Sequence, residues 1–159
     1  VKGEIEIDGK ILGKDVTFPP SIGILIENPS FVAEYTGLKN LEMLACIKNK
    51  IEIEDIRHAM EQVGLDPGDK RTYKKYSLGM KQKLGIAAAF MEKPDIIILD
   101  EPINALDEAG AKQVHKILEE QKKRGALIII ACHDKEELEM LSDEIIEIYE
   151  GRIVAGEKE

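Results

Sequence analysis

The sequence predicts an α/β fold built on a mainly parallel central sheet with a small helical subdomain, and three observations carry the prediction. Residues 96–99, Ile-Ile-Ile-Leu, and residues 126–132 are apolar throughout, as expected of strands covered on both faces. Segments of helical period lie between such runs, so strands alternate with helices along the chain. Each run ends on a polar residue, Asp100 after the first and His133 after the second, and open parallel sheets bind ligands at those carboxyl ends.

In chain order, Ile5, Ile7 and Ile11 alternate around Asp8-Gly9, a dipeptide that favours a tight hairpin. Residues 22–26 form a short buried strand stopped by Glu27-Asn28-Pro29. Thr36 is placed to cap a helix whose Leu38, Leu41, Leu44 and Ile47 make an apolar stripe. A second helix carries Ile53, Ile56, Met60 and Val63 and stops at Gly64. After the Pro-, Gly- and Lys-rich residues 66–75, Ser77 opens a third helix that runs to about Met91. A long helix over about 108–124, with Ala111, Val114, Leu118 and Gln121 on one face, separates the two apolar runs. A short helix follows, with Asp134 and Glu137 set like a capping box, and Glu150-Gly151-Arg152 turns the chain from residues 145–149 into a last strand. The helical subdomain is expected at about residues 38–92, with the core that holds the sheet at 1–37 and 93–159. It is also expected to be the more mobile half, for want of packing partners.

Of 159 residues, 43% are hydrophobic and 33% charged, a globular balance at the length of one domain. No stretch is long and apolar enough to cross a bilayer, and the opening at Val1 lacks the features of a signal peptide, which predicts a cytoplasmic chain. A net charge of -9 argues against general affinity for nucleic-acid phosphates. Cys46 and Cys132 each sit among apolar residues and are expected as buried thiols, not as a disulfide or zinc ligands.

Asp100 and Glu101 close an apolar strand. There one acid can hold Mg²⁺ through oxygen while its neighbour orients a water for attack on phosphate, although such a pair also simply marks where a strand meets solvent. Ser77, as a helix cap, presents a hydroxyl and free N–H groups to an anion, and Gly79 lets phosphate approach the backbone. His133 ends the neighbouring strand, where it can bond a terminal phosphate. His58 and His115 lie within helical stretches without such partners.

The order and spacing of these groups resemble those of ABC-transporter ATPases. Residues 77–82 stand in the place of the signature motif, 96–101 of Walker B, 104–107 of the D-loop and His133 of the switch histidine, with Glu27 where the Q-loop glutamine usually is. The resemblance spans essentially the whole chain. It implies an ABC-type P-loop NTPase cassette that uses ATP and Mg²⁺, with Glu101 and His133 catalytic, Ser77, Gly79, Gln82 and Asp107 on the nucleotide, and Asp100 and Glu27 on the metal. It further implies a head-to-tail dimer with a second ATPase subunit and a membrane permease partner, which places the chain at the inner face of the cell membrane, and no nucleic-acid partner. Phe31 and Tyr35 are candidate permease contacts, and core packing explains them as well.

Leu78 and Met80 in the signature, with Glu27 in place of glutamine, look like the antibiotic-export and bacitracin-resistance branch. No Gly-x-x-x-x-Gly-Lys-Ser/Thr string is present: Gly9-Lys10 is followed by Ile11 and Gly13-Lys14 by Asp15. In the family that loop precedes the hairpin, so the sequence is expected to lack the N-terminal strands and P-loop and to be inactive on ATP alone. Two other classes are weighed: a soluble ABC ATPase acting on ribosomes or DNA, and a non-catalytic module that dimerises without hydrolysis. The first would carry a second cassette or a long coiled coil, and intact Ser77, Asp100, Glu101 and His133 argue against the second.

Overall fold

The structure is a computed structural model that describes residues 3–27 and 29–158, with side-chain surroundings up to residue 154. Val1, Lys2, Asn28 and Glu159 lie outside the described residues. Strands β1 (Glu6–Ile7) and β2 (Lys10–Ile11) form the expected hairpin, and Asp8 and Gly9 take φ of 50° and 76°, the two positive angles such a turn needs.

Strands β3 (Ile22–Leu25), β4 (Ile96–Asp100) and β5 (Leu127–Ala131) pair in parallel, in that spatial order. Between β3 and β4 the chain forms α1 (Gly37–Lys48), α2 (Ile53–Gln62), a 3₁₀ turn at Tyr73–Lys75 and α3 (Leu78–Phe90). Helix α4 (Glu108–Lys123) joins β4 to β5. Beyond β5 come α5 (Lys135–Leu141) and an antiparallel pair, β6 (Glu144–Tyr149) and β7 (Arg152–Lys158).

The expectation of strands covered on both faces needs correction. Gly23, Leu25, Ile97 and Leu99 are buried under the helices, with Ile128 and Ile130 packed against the same core. The register puts Ile24, Ile98 and Ile129 in one row on the opposite face, and there Leu127 stays 57% and Ile129 48% exposed. Topology explains it. Successive right-handed crossovers that advance across a sheet in one direction place all their helices on one face. Seating α3 on β3 also needs glycine, since a Cβ on Gly23 would lie 1.7 Å from the Ala89 carbonyl oxygen.

Thr36 caps α1 as expected, accepting from the Lys39 N–H. The predicted stripe is rotated, however: Gly37, Leu41 and Ala45 are buried, while Leu44 and Ile47 are exposed. The cause is Asn40, whose Oδ1 accepts from the Val32 N–H at 2.8 Å and whose amide donates to the Val32 and Thr36 carbonyls. With those three bonds Asn40 takes a place on the buried face of α1. The face of α2 is as predicted, with Ile56, Met60 and Val63 buried. Leu41, Met60, Val63, Leu84 and Ile86 are at most 1% exposed, so the helical half is tightly packed, and one apolar cluster joins it to the sheet. The packing therefore runs against the expectation that this half lacks partners. Cys46 is exposed and Cys132 half-buried, contrary to the expectation of two buried thiols. The capping box at α5 is half formed: Asp134 accepts from the Glu136 and Glu137 N–H groups, but the Glu137 carboxylate takes the Cys132 thiol instead of reaching back.

Candidate functional site

The predicted site residues fall into two clusters. The first stands at the carboxyl ends of the parallel strands. Asp100, half-buried, closes β4 opposite Ala131 of β5, and Glu27 follows β3, exposed and with φ of 55°. Glu101 follows Asp100 with φ of 47°, a left-handed conformation that costs a non-glycine residue on the order of 1–3 kcal/mol. Its surroundings over-determine it. The Glu101 N–H donates to the Ala131 carbonyl at 2.9 Å, and its own carbonyl accepts from Gln82 Nε2 at 3.0 Å. Glu101 Oε1 accepts from the His133 N–H at 3.1 Å and lies 2.6 Å from His133 Nδ1.

The hydrogen bond to Glu101, and then its charge, hold the His133 imidazole above the ordinary histidine value, with Asp134 and Glu137 adding to the pull. The His133 side chain is 76% exposed, so solvent screens most of that attraction. Beside it, burial pushes the Cys132 thiol up to about 11, which leaves it protonated and inert near neutral pH.

The second cluster gathers two helix starts. Ser77 Oγ accepts from the Met80 N–H at the head of α3, and Asp107 Oδ1 accepts from the Gly110 N–H at the head of α4. The Ser77 cap matches the sequence reading. Between them lies a shallow cavity of about 280 Å³ lined by Ser77, Gly79, Lys83, Ala105 and Asp107. A Cβ on Gly79 would sit 3.0 Å from the Ala105 carbonyl oxygen, so glycine lets the first turn of α3 approach the loop that carries Ala105. Lys83 went unnoticed in the sequence, where its signal was the spacing of one helical turn after Gly79.

Neither Glu27, Asp100, Glu101 nor His133 lines that cavity. Gln82, expected on the nucleotide, belongs to neither cluster's surface: it is 5% exposed and donates to the carbonyls of Glu101 and Pro102, each at 3.0 Å.

The fit to ATP and Mg²⁺ is partial. The cavity is open and small, and it offers the Ser77 hydroxyl and Lys83 beside the Asp107 carboxylate. Among the described residues no group of three or more His, Cys, Asp or Glu side chains is placed to hold a metal. Mg²⁺ usually takes only one or two carboxylates and completes its shell with phosphates and water, and Asp100 can supply one. Among the described residues no helix is long and apolar enough to cross a membrane.

The sequence profile described as ABC transporter matches residues 1–104. An uncharacterized ABC transporter ATP-binding protein, YybJ of Bacillus subtilis (strain 168), is 46% identical over 157 residues, which are 99% of this chain and 72% of the relative. The bacitracin transport ATP-binding protein BcrA of Enterococcus faecalis is 39% identical over 139 residues, 87% of this chain and 45% of that protein. A solved structure of the ATP binding subunit of an ABC transporter superposes with a TM-score of 0.86 at 28% identity, covering 99% of this chain and 67% of its own. The chain thus spans about three quarters of the first relative and under half of the second.

Proposed function

The chain belongs to the ABC transporter family, and on that premise we propose that it forms part of an ATP-binding subunit whose hydrolysis of ATP powers an exporter. The observation that carries the reading is Glu101, held in a left-handed conformation at a strand end with its carboxylate on His133. Such an acceptor orients a water for attack on a terminal phosphate. Asp100 would supply one ligand to Mg²⁺, and Glu27, just after the neighbouring strand β3, a second acceptor. Bound Mg-ATP supplies the phosphoryl group and the charge that these residues position.

Ser77 and Gly79 make the phosphate clamp, with Asp107 beside it. The clamp and the carboxylates belong to separate clusters, which supports a site shared by two copies, each lending its clamp to the other's nucleotide in a head-to-tail dimer. The bacitracin transport relative supports a role in transport, and a membrane permease is the remaining partner, which would hold the subunit at the cytoplasmic face of the membrane. Residues 38–92 are assigned to the helical subdomain that carries the clamp.

These 159 residues alone are proposed not to bind Mg-ATP measurably. Glu27, Asp100 and Glu101 repel a triphosphate unless a metal intervenes, and one exposed helix start favours an anion by only about 0.3–1 kcal/mol. Titration calorimetry with Mg-ATP checks this, and micromolar binding contradicts it. In the complete subunit, Glu101→Gln is expected to keep nucleotide binding and lower hydrolysis by about 100-fold or more. Turnover close to that of the unaltered subunit would remove Glu101 from the chemistry.

A further inference from the structure

Gln82 is the buried polar side chain that the two clusters leave unexplained. It lies in α3 five residues after Ser77, and its amide donates both protons to consecutive carbonyls, those of Glu101 and Pro102. The loop it grips follows directly from β4. Pro102 is fully buried and has no N–H, so the loop is poor in donors of its own. The backbone offers little else: the Asn104 N–H reaches the Glu101 carbonyl only at 3.5 Å. Without Gln82 the buried Pro102 carbonyl would lose its bond and the part-buried Glu101 carbonyl would keep only the long one from Asn104, so Gln82 contributes directly to holding the loop in this shape.

We propose that Gln82 is a positioning residue, which ties α3 to the loop after β4 and so keeps Glu101 in the left-handed conformation that sets its carboxylate on His133. The helix that presents the clamp at its start thereby holds the carboxylate loop from its middle. Gln82 touches no nucleotide in this arrangement, because its amide is enclosed and both its protons are engaged. The functional consequence rests on the reading of Glu101 as the group that orients water; the structural one does not.

The test uses the complete subunit with labelled histidine, the His133 resonance being assigned by its loss in His133→Gln. The groups acting on His133 are Glu101, Asp134 and Glu137, and of these only Glu101 is held by Gln82. Gln82→Met keeps length and apolar bulk but donates nothing. It is expected to return the His133 titration midpoint most of the way to the ordinary histidine value, and to lower kcat about tenfold or more with KM for Mg-ATP within about twofold. Ile86→Val, in the same helix and equally buried, controls for loosened packing and is expected to leave the His133 midpoint in place. Should Gln82→Met not fold, Gln82→Asn withdraws the amide by one methylene and is expected to lose part of the shift. An unchanged His133 midpoint in these variants overturns the proposal, as does a raised KM at constant kcat, which would make Gln82 a nucleotide contact. A lost shift with unchanged hydrolysis supports the positioning and overturns instead the catalytic reading of Glu101.

Discussion

The clamp and the strand-end cluster rest on different supports. Ser77 and Asp107 are unstrained helix caps, and the helix behind Ser77 is anchored by Leu84, which is fully buried. Glu101 and His133 stand at the rim of a sheet with one open face, in a backbone conformation maintained by hydrogen bonds. Fixed dipoles are thus built into the packed part of the fold, whereas the carboxylate at the sheet edge is held by directional contacts. The first half should fail through packing, the second through geometry and pH.

The largest expected effect lies beneath the clamp. Leu84→Ala removes a fully buried side chain from α3 and should cost about 2–5 kcal/mol, read from urea unfolding. Ile129→Ala, on the open face of β5 that leads to His133, should cost no more than about 1 kcal/mol, because half of that side chain is already in water. Equal losses would mean that the two regions do not differ in packing. Next in size, Ser77→Ala removes the cap that bonds the Met80 N–H and should cost about 0.5–2 kcal/mol of stability, measured in the same way.

The smallest effect is the dependence on pH. The folded-state value of His133 is raised, so its pairing with Glu101 contributes fully below the ordinary histidine value, near 6.5, and is lost as pH rises through the elevated folded value. Stability should decline slightly over that interval, and Glu101→Gln should flatten the slope. A slope of opposite sign would mean that His133 is held neutral.

Local chemistry made much of this legible. The Asp8-Gly9 turn, the caps at Thr36 and Ser77, and the apolar strands at 22–25, 96–99 and 127–131 all follow from neighbours in sequence. What stayed hidden depends on distant partners. Asn40 rotates α1 through bonds to Val32, eight residues away, and no apolar periodicity records that. The open face of the sheet follows from the sense of two crossovers, and Cys46 is exposed because Asn40 turned its helix. At the site, the resemblance named the residues, but only the fold separated them into two clusters and placed Gln82 on backbone carbonyls nineteen and twenty residues away.

The division into two clusters is best tested by mixing complete subunits. Glu101→Gln and Ser77→Ala chains should each be nearly inactive alone. A mixed dimer contains one site with an unaltered Glu101 from one chain and an unaltered Ser77 from the other. Equimolar mixing is expected to restore about a quarter of the normal hydrolysis rate, since half of random pairs are mixed and each has one intact site of two. A rate no higher than the average of the two variants measured apart would contradict a site shared between copies.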